Sequence, residues 1–413
     1  MGFKKKALTV AMLCTLAVPS VASAQSFGIV EWSAEGVAMG GARMFAENDP
    51  TMLSANPAAI TKMEKGGWAM GLTYISPHGS YDATANDLGK LASYTDEYNK
   101  SNRVAPGIVP NSYYVQRIDE DEWWGIAAYT RFGMLSKFQE GSLAATNSLS
   151  ADMQGLSIVP TYARKVNDKL SYAVSLEVNA IDLSLESENL KLGNTKLHDA
   201  KSYALGWNSA IDYEFDDKNE MAFVYRSEVT HSVNGKFEAT GFGIVNADAY
   251  GVVTLPESYT IGYGHKFNDK TRLELQATYT GWSSYDKLNI SVDTANGVLP
   301  INSVKDYSNG WRYAIGIEHK LSDKYSILGG YAYDRSVIPS ATADFMIPTG
   351  ALQTFSIGTQ YHDEHQRVAV ALGYMLVGDQ TVYGEESSGD AFSVAHAKDS
   401  YTKIASIGYQ RLF

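Results

Sequence analysis

The chain is poor in cysteine, proline and charge, and it has no long hydrophobic run. Its 413 residues include one cysteine and 11 prolines, and charged side chains make up 19%. No apolar run approaches the ~18–20 residues of a membrane-spanning helix, which argues against a helical membrane protein. The 46 acidic and 34 basic residues give a net charge of −12, which argues against a nucleic-acid partner. What the chain has instead is 36 glycines, 27 tyrosines and a 45% hydrophobic fraction, too apolar for a disordered protein.

Residues 1–24 have the features of a secretory signal peptide. Lys4–Lys6 supply the positive charge, an apolar stretch too short to span a bilayer follows, and Ala22–Ala24 supply the small-residue cleavage site. The sequence therefore predicts export, with a mature chain that begins at Gln25. Because Cys14 lies in this leader, the mature protein is expected to have no disulfide and no thiol nucleophile.

Beyond about residue 66, apolar and polar residues alternate with a period of two. One face of the segment 170–180, for example, carries Leu170, Tyr172, Val174, Leu176, Val178 and Ala180. Strict alternation over this length predicts β-strands with one apolar face. The pattern divides the chain into fourteen strands, at residues 67–76, 111–118, 122–133, 154–165, 170–185, 200–215, 219–230, 256–267, 271–283, 308–321, 324–335, 353–362, 365–378 and 401–413.

Three features favour a membrane barrel over a soluble sandwich or jelly roll, which also alternates. Many strands have about 10–13 residues, the length of a tilted bilayer-crossing strand. Tyrosine and tryptophan cluster near strand ends, as in an interfacial girdle, and short charged turns alternate with long polar loops. The predicted fold class is all-β: a 14-stranded antiparallel transmembrane β-barrel in the outer membrane of a Gram-negative bacterium. The even number places both chain ends on the periplasmic side.

The opposite face of the strands carries charges of both signs, which must line a wet interior because each would cost about 2–4 kcal/mol in lipid. Side chains alone do not fill a barrel of fourteen strands, so its lumen is open or plugged. Residues 25–66 are rich in small residues, which pack closely, and we expect them to form an N-terminal hatch inside the lumen. The alternative is an ordinary solvated tail. The domains are thus predicted as a signal peptide (1–24), a hatch (25–66) and a barrel (67–413).

Short motifs spaced through nearly all of the mature chain resemble the FadL-type family of outer-membrane transporters (OMPP1/FadL/TodX). They include Phe27-Gly28, Asn56-Pro57-Ala58, Tyr225-Arg226-Ser227-Glu228-Val229, Trp311-Arg312-Tyr313-Ala314-Ile315-Gly316 and Tyr333-Asp334-Arg335-Ser336-Val337-Ile338-Pro339. The resemblance implies a barrel with an N-terminal hatch that takes up long-chain fatty acids or other hydrophobic compounds. It further implies that the ligand leaves sideways, through an opening in the barrel wall at a kinked third strand.

The resemblance also implies roles for individual residues, each with a purely structural role as its alternative. The set comprises the hatch and gating residues Phe27, Asn56, Pro57 and Ala58, the lateral opening at Phe132 and Gly133, and a wall network near the hatch at Asp334 and Arg312. Glycine permits a bulge or an inward bend in a strand, which would open the hydrogen bonds between strands. Alternatively, Gly133 merely ends a strand before a loop.

The substrate implied by the resemblance is a long-chain fatty acid, and neutral aromatic or hydrocarbon compounds are the alternative. The basic side chains that meet the carboxylate in fatty-acid carriers have no aligned match here. Lys305 and Arg164 lie in the corresponding regions and are the candidate carboxylate contacts. The alternatives are that Arg164 anchors the barrel at the interface and that Lys305 is a solvated loop charge.

Two rival functions remain open, an outer-membrane hydrolase and a general porin for polar solutes. The eight histidines lie mostly in loops and turns, and none has a serine and an acid at a spacing that completes a catalytic arrangement. We therefore predict no enzyme, no cofactor and no metal. The expected partners are a hydrophobic ligand, outer-membrane lipid and, because the chain ends in an amphipathic strand closing on Phe413, the barrel-assembly machinery. We expect a monomer.

Overall fold

A computed structural model describes residues 26–92, 94 and 106–413 of the chain. The predicted signal peptide at residues 1–24 and its cleavage before Gln25 lie outside the described residues. Among the helices within these ranges, none has the length and apolar character needed to cross a bilayer.

The described residues form one sheet of twenty strands. Their bounds are β1 Gly66–Ala85, β2 Gly107–Arg117, β3 Glu122–Tyr129, β4 Gly133–Lys137, β5 Ser150–Lys165, β6 Leu170–Asn189, β7 Gly193–Glu214, β8 Asn219–Arg226, β9 Val229–Ala239, β10 Ile244–Leu255, β11 Ser258–Asn268, β12 Thr271–Thr280, β13 Lys287–Thr294, β14 Gly297–Val304, β15 Gly310–Lys320, β16 Tyr325–Asp334, β17 Leu352–His362, β18 Gln366–Val377, β19 Gln380–Tyr383 and β20 Phe392–Leu412.

Fourteen of these strands close into an antiparallel barrel, which confirms the predicted fold class. Each pairs with the next in the order β1, β2, β3, β5, β6, β7, β8, β11, β12, β15, β16, β17, β18 and β20. The cylinder closes where β20 returns to β1, in a register that places Gly67 opposite Leu412 and Ile75 opposite Ile404. The remaining strands in the described ranges continue barrel strands or pair with each other beyond them.

The structure differs from the predicted segmentation mainly outside the bilayer. The stretches 231–255 and 284–307, predicted as loops, contain the paired strands β9 with β10 and β13 with β14. Their polar and glycine-rich composition suggested loops, but these strands pair and bury one apolar face, with Val233, Phe237, Val253 and Val292 in a hydrophobic cluster. The predicted strand 122–133 is broken, with β3 ending at Tyr129 and β4 beginning at Gly133.

The two faces of the barrel wall differ as the alternation predicts. On β15, Tyr313, Ile315 and Ile317 are exposed, whereas Ala314 and Gly316 between them, and Arg312 before them, are buried. An oily outward face of this kind suits acyl chains. Aromatic rings also run around the wall from strand to strand, with centroids 4.9 Å apart for Tyr225–Tyr259, 6.1 Å for Tyr259–Tyr279 and 5.3 Å for Tyr279–Trp311. Such a row matches an interfacial girdle.

Residues 26–65, which we call the N-terminal segment, lie against the inward face of the wall. Their short helices span Ala34–Ala38, Met52–Ala55 and, in a 3₁₀ conformation, Pro57–Lys62. Glycine makes the close approach to the wall possible, since a Cβ added at Gly330 would lie 2.0 Å from the Met39 carbonyl carbon. The other described helices are short, at Asp87–Leu91, Ala144–Thr146, Thr240–Phe242, Trp282–Ser284 and Glu386–Ser388.

The outward face yields a prediction about Ile357, which lies at the middle of β17 with 65% of its side chain exposed. An arginine there would face hydrocarbon, so Ile357→Arg is expected to lower the free energy of unfolding by about 2–4 kcal/mol. Urea titration of the folded barrel in lipid vesicles measures this. Val298→Arg on β14, at a side chain that is also exposed, is the control and should change the midpoint little. Equal stability of the two variants would contradict the assignment of the outward face to lipid.

Candidate functional site

The barrel wall has an interruption next to its third strand. β2 pairs with β3 only from Ser112, opposite Ala128, to Arg117, opposite Trp123. The preceding β2 residues, 107–111, pair with β1 alone among the described residues. Between β3 and β4, residues 130–132 leave the ladder with β2, so a stretch of the β2 edge has no strand beside it. We call this gap the wall opening.

The N-terminal segment supplies the missing hydrogen bonds at residues 130–133. The Ile29 N–H donates to the Arg131 carbonyl oxygen at 2.8 Å, and the Gly133 N–H donates to the Phe27 carbonyl oxygen at 2.9 Å. These bonds flank an antiparallel bridge between Gly28 and Phe132. Ile29 is fully buried and packs with Ile75, Val109 and Leu135, so it covers the unpaired edge of β2 with an apolar side chain.

Arg131 holds the broken strand toward the barrel interior. Its guanidinium donates to Glu177 Oε2 on β6 at 2.7 Å, with side-chain exposures of 4% and 0%. It also donates to the carbonyl oxygens of Ser227 at 3.3 Å and Pro256 at 3.1 Å, where β8 gives way to β9 and β10 to β11. One side chain therefore ties the break in the third strand to two further strand breaks across the interior.

Phe27 lies in a group of aromatic rings just inside the opening. Its ring centroid is 4.6 Å from Trp282, 5.2 Å from Tyr285 and 6.3 Å from Phe132, in edge-to-face contacts. Tyr307 adjoins Tyr285 at 5.2 Å. These five residues form what we call the aromatic cluster, and the structure therefore brings together two residues predicted separately, Phe27 and Phe132.

Two cavities are lined by residues next to Phe27 in the chain. An apolar cavity of about 80 Å³ is lined by Ser26, Met134, Leu135, Phe138, Met346 and residues of β1, β17, β18 and β20. A second cavity of about 90 Å³, which we call the arginine-lined cavity, is bounded by Gly28, Phe132, Trp282 and the side chains of Arg43, Arg131, Arg226 and Arg312. Ser26 borders one cavity and Gly28 the other, so the two chain neighbours of Phe27 line different cavities.

The predicted hatch turn makes a polar contact with the wall. Asn56 is buried, and its side-chain amide donates to Asp212 Oδ2 on β7 at 2.6 Å and to the Met44 carbonyl oxygen at 3.0 Å. Its Oδ1 caps the following 3₁₀ turn by accepting from the Ala58 N–H at 3.2 Å, and Pro57 occupies the first position of that turn. Asn56 thus couples the conformation of the turn to the barrel.

Lys62, at the end of the same turn, was not predicted as a site residue. Its ammonium lies 3.0 Å from Asp212, 3.3 Å from Glu214 and 2.5 Å from Glu220. These three carboxylates are close enough to hold a metal ion, but the Lys62 ammonium already lies among them and pairs with each. The only sequence signal was the inward-facing acids on β7 and β8.

Asp334 and Arg312 form the predicted network beneath the N-terminal segment. They are ion-paired across β15 and β16, with side-chain exposures of 1% and 5%. Arg312 also donates to the Gly40 carbonyl oxygen at 2.8 Å. Because Gly40 has a φ of +62°, the chain can turn sharply there without the strain that a side chain would add.

The structure separates the two candidate carboxylate contacts. Arg164 lies near a short turn, half-exposed and 3.7 Å from Glu122. Lys305 lies beyond the other end of the barrel strands, buried with a side-chain exposure of 2% and ion-paired with Asp344. The alternative interpretation of Lys305 as a solvated loop charge is therefore wrong, because the chain of 336–352 folds over it.

Glycine matters at the strand break, but at a position that the sequence did not single out. Gly133 begins β4 after the break. On the neighbouring strand β5, a Cβ at Gly155 would lie 2.3 Å from the Phe132 carbonyl oxygen. Only glycine at 155 leaves room for the inward path of residues 130–132. Nothing in the local sequence of β5 shows this, because the close contact joins residues distant in the chain.

The comparisons with known proteins agree with this architecture. The model of the family described as outer membrane protein transport protein (OMPP1/FadL/TodX) matches residues 15–411. The chain belongs to this family. The family description names outer-membrane transport proteins, and the chain is such a protein in the outer membrane of a Gram-negative bacterium.

Individual relatives are distant in sequence. The long-chain fatty acid transport protein of Escherichia coli K12 is 22% identical over 373 residues, covering 78% of this chain and 80% of its own. Outer membrane protein P1 of Haemophilus influenzae is 24% identical over 378 residues, covering 78% and 79%.

Two solved structures share the fold. A Pseudomonas aeruginosa FadL homologue superposes with a TM-score of 0.82 at 17% identity, over 94% of this chain and all of its own. The P. putida toluene transporter TodX gives 0.72 at 16% identity, over 93% and 99%. At these identities the structural likeness shows the fold and leaves the ligand open.

Glu31 in the N-terminal segment predicts a pH dependence. Burial raises its pKa to about 7, although Arg312 opposes the shift. The protonated carboxyl therefore stabilises the fold fully below the ordinary value of 4.5, and this contribution is lost as the pH rises through about 7, by at most about 3 kcal/mol. Melting temperatures of wild type and Glu31→Gln, measured from pH 4 to pH 8.5, should converge at low pH and diverge in favour of the variant at high pH. A constant difference would contradict this.

Gly155 provides a test of the strand break. Gly155→Ala places a methyl group against the Phe132 carbonyl oxygen and should displace residues 130–132, at a cost of about 1–3 kcal/mol. We expect cellular uptake of a labelled fatty acid and of a labelled aromatic hydrocarbon to fall, while heat-modifiable migration on a gel still shows a folded barrel. The matched control is Gly329→Ala on β16, where the nearest atom would be 3.7 Å away. Unchanged uptake by a folded Gly155→Ala protein would show that the break does not govern transport.

Proposed function

We propose that the protein takes up hydrophobic compounds and releases them sideways into the membrane through the wall opening. The observation that carries this proposal is the interrupted ladder between β2 and β3. Next to the gap, the Arg131 carbonyl oxygen and the Gly133 N–H bond to the N-terminal segment. A barrel strand that is hydrogen-bonded to its neighbours along its length cannot leave the wall. A short segment held there by two backbone hydrogen bonds can. The opening is thus closed by a removable piece.

A lateral exit fits the physics of an apolar ligand. Transfer from an apolar environment into water is unfavourable by roughly 25 cal/mol per Å² of surface, so an exit into the periplasm would oppose transport. An exit between β2 and β3 leads directly to acyl chains and involves no such transfer. The apolar cavity and the aromatic cluster supply the environment that precedes it.

Phe27 is the residue on which we expect the gate to depend. Its chain neighbours Ser26 and Gly28 line the two cavities and its ring packs on Phe132, while the backbone of residues 27–29 closes the wall opening. A ligand that displaces the Phe27 ring from Trp282 and Tyr285 must also pull on the bonds at Ile29 and Gly133. Ligand entry and opening of the wall are in this way the same movement.

The remaining predicted residues would keep the rest of the segment in place during that movement. Asn56, with Pro57 and Ala58, binds the turn to Asp212, and Arg312 with Asp334 holds Gly40. These contacts include a buried ion pair, whereas Phe27 and Ile29 are held by two backbone hydrogen bonds and by apolar packing. We therefore expect the segment to detach first near Phe27 and to stay attached beyond Gly40.

Long-chain fatty acids and neutral hydrocarbons both remain predicted substrates under this route. The names of the relatives point both ways, since one is a fatty acid transport protein and another a toluene transporter.

A porin for polar solutes is less compatible with the structure, because the N-terminal segment lies against the inward face of the wall. The prediction that the chain has no enzymatic activity is compatible with this proposal, since the relatives named above are transporters or outer-membrane proteins.

A disulfide across the opening tests the proposal. Because the mature chain is predicted to contain no cysteine, the two introduced cysteines would have no other thiol in the chain to pair with. Gly28 and Phe132 form a non-hydrogen-bonded antiparallel pair, since the hydrogen bonds are made by the residues on either side of them. In such a pair the Cβ atoms come close enough for a disulfide. With Gly28→Cys and Phe132→Cys together, we expect uptake to stop under oxidising conditions and to return with reductant. Each single variant is the control. Full uptake by the oxidised double variant would overturn the lateral route.

A further inference from the structure

We propose that Asp344 makes the apolar cavity selective for uncharged hydrophobic ligands and against ionised carboxylates. This inference rests on the proposed function and narrows its substrate class. Asp344 acts by occupying Lys305, the lysine that lies beside the aromatic cluster and would otherwise attract an acidic headgroup.

The ion pair is built into the fold. Lys305 Nζ pairs with Asp344 Oδ2, with side-chain exposures of 2% and 14%. The other oxygen of Asp344 accepts from the Met346 N–H at 3.0 Å, which fixes the carboxylate in place. The Thr342 hydroxyl donates to the Lys305 carbonyl oxygen, so the same loop binds both ends of the lysine.

The pair lies where a ligand would lie. The Lys305 N–H donates to the carbonyl oxygen of Asp286 at 2.8 Å, next to Tyr285 in the chain, and Tyr285 contacts Phe27. Met346, whose sulfur is 3.5 Å from Lys305 Nζ, lines the apolar cavity. A headgroup held in this cavity would therefore come within reach of Lys305.

Lys305 carries its charge in this environment. Burial alone would lower its pKa, but the Asp344 carboxylate outweighs burial, and the pKa lies above the usual value. The ammonium and the carboxylate thus neutralise each other, and the pair presents no net charge to a ligand.

The apolar cavity offers no other cation to a carboxylate, since its described lining contains no lysine or arginine. His78, beside this cavity, bonds through Nδ1 to the Ser76 carbonyl oxygen at 2.9 Å. The arginines of the neighbouring cavity are mostly paired: Arg43 with Asp49, Arg131 with Glu177 and Arg312 with Asp334, whereas Arg226 donates to the carbonyl oxygens of Ser54 and Ala55. An ionised carboxylate in the apolar cavity would therefore be buried unpaired, which is strongly unfavourable. A neutral ligand does not meet this obstacle.

Laurate and methyl laurate provide a matched pair of probes that differ in charge and share the chain. Binding of each radiolabelled compound is measured at pH 8 to the protein in lipid nanodiscs, with protein-free nanodiscs subtracted. Wild type is expected to bind the ester at least about tenfold more tightly than the ionised acid.

Asp344→Asn keeps the shape and the acceptor for the Met346 N–H but frees Lys305. This variant should bind laurate about tenfold more tightly than wild type, with ester binding unchanged. The double variant Lys305→Met with Asp344→Asn removes the cation as well and should return to the wild-type preference. Heat-modifiable migration on a gel confirms that each variant is folded.

The outcomes separate this inference from the function beneath it. Equal or tighter binding of laurate by wild type, or no gain of laurate binding in Asp344→Asn while the ester still binds, overturns the role of Asp344 and leaves transport of hydrophobic compounds intact. Failure of wild type to bind either compound overturns the proposed function, and the inference with it.

Discussion

The structure depends on one constraint, that every backbone N–H and C=O group at membrane depth must have a hydrogen-bond partner. A closed antiparallel barrel meets this requirement along most of its wall. The exception is the break at residues 130–132, where the third strand leaves β2. The break is tolerated because Phe27 and Ile29 provide partners for residues 133 and 131, and because the Ile29 side chain covers the facing edge of β2. The N-terminal segment is therefore part of the wall as well as its inner lining.

The same constraint explains the charges on the inward face. Arg131, Arg312 and Lys62 each join the N-terminal segment or the broken strand to a carboxylate on the wall. Inside a low-dielectric interior such pairs are costly to break, so they fix positions more than they add stability. They hold the segment beyond Gly40 firmly, and they leave the stretch near Phe27 to apolar contacts, which a hydrophobic ligand can replace.

Much of the fold follows from the sequence, because the period of two, the strand lengths and the alternating turns are local properties. The predicted strands of the barrel proper correspond to observed ones. The hairpins of β9 with β10 and β13 with β14 were not predicted, because their apolar residues stand among glycine and polar residues and are buried against side chains distant in the chain. Phe27, Phe132 and Asn56 were named from the resemblance, and their contacts are consistent with the proposed gate. Gly155, Asp344 and Lys62 were missed because their importance lies in distances to residues far away in the chain.

The seam between β1 and β20 has a consequence for biogenesis. The first barrel strand finds its second neighbour only in β20, the last of the barrel strands, over a register that runs from Gly67 with Leu412 to Ala85 with Phe392. Until β20 has been synthesised and exported, β1 has an open edge, and contacts of such large sequence separation form slowly. The unfinished sheet is then exposed to aggregation, so cells that make this protein must keep its leading strand apart from other open edges until β20 arrives.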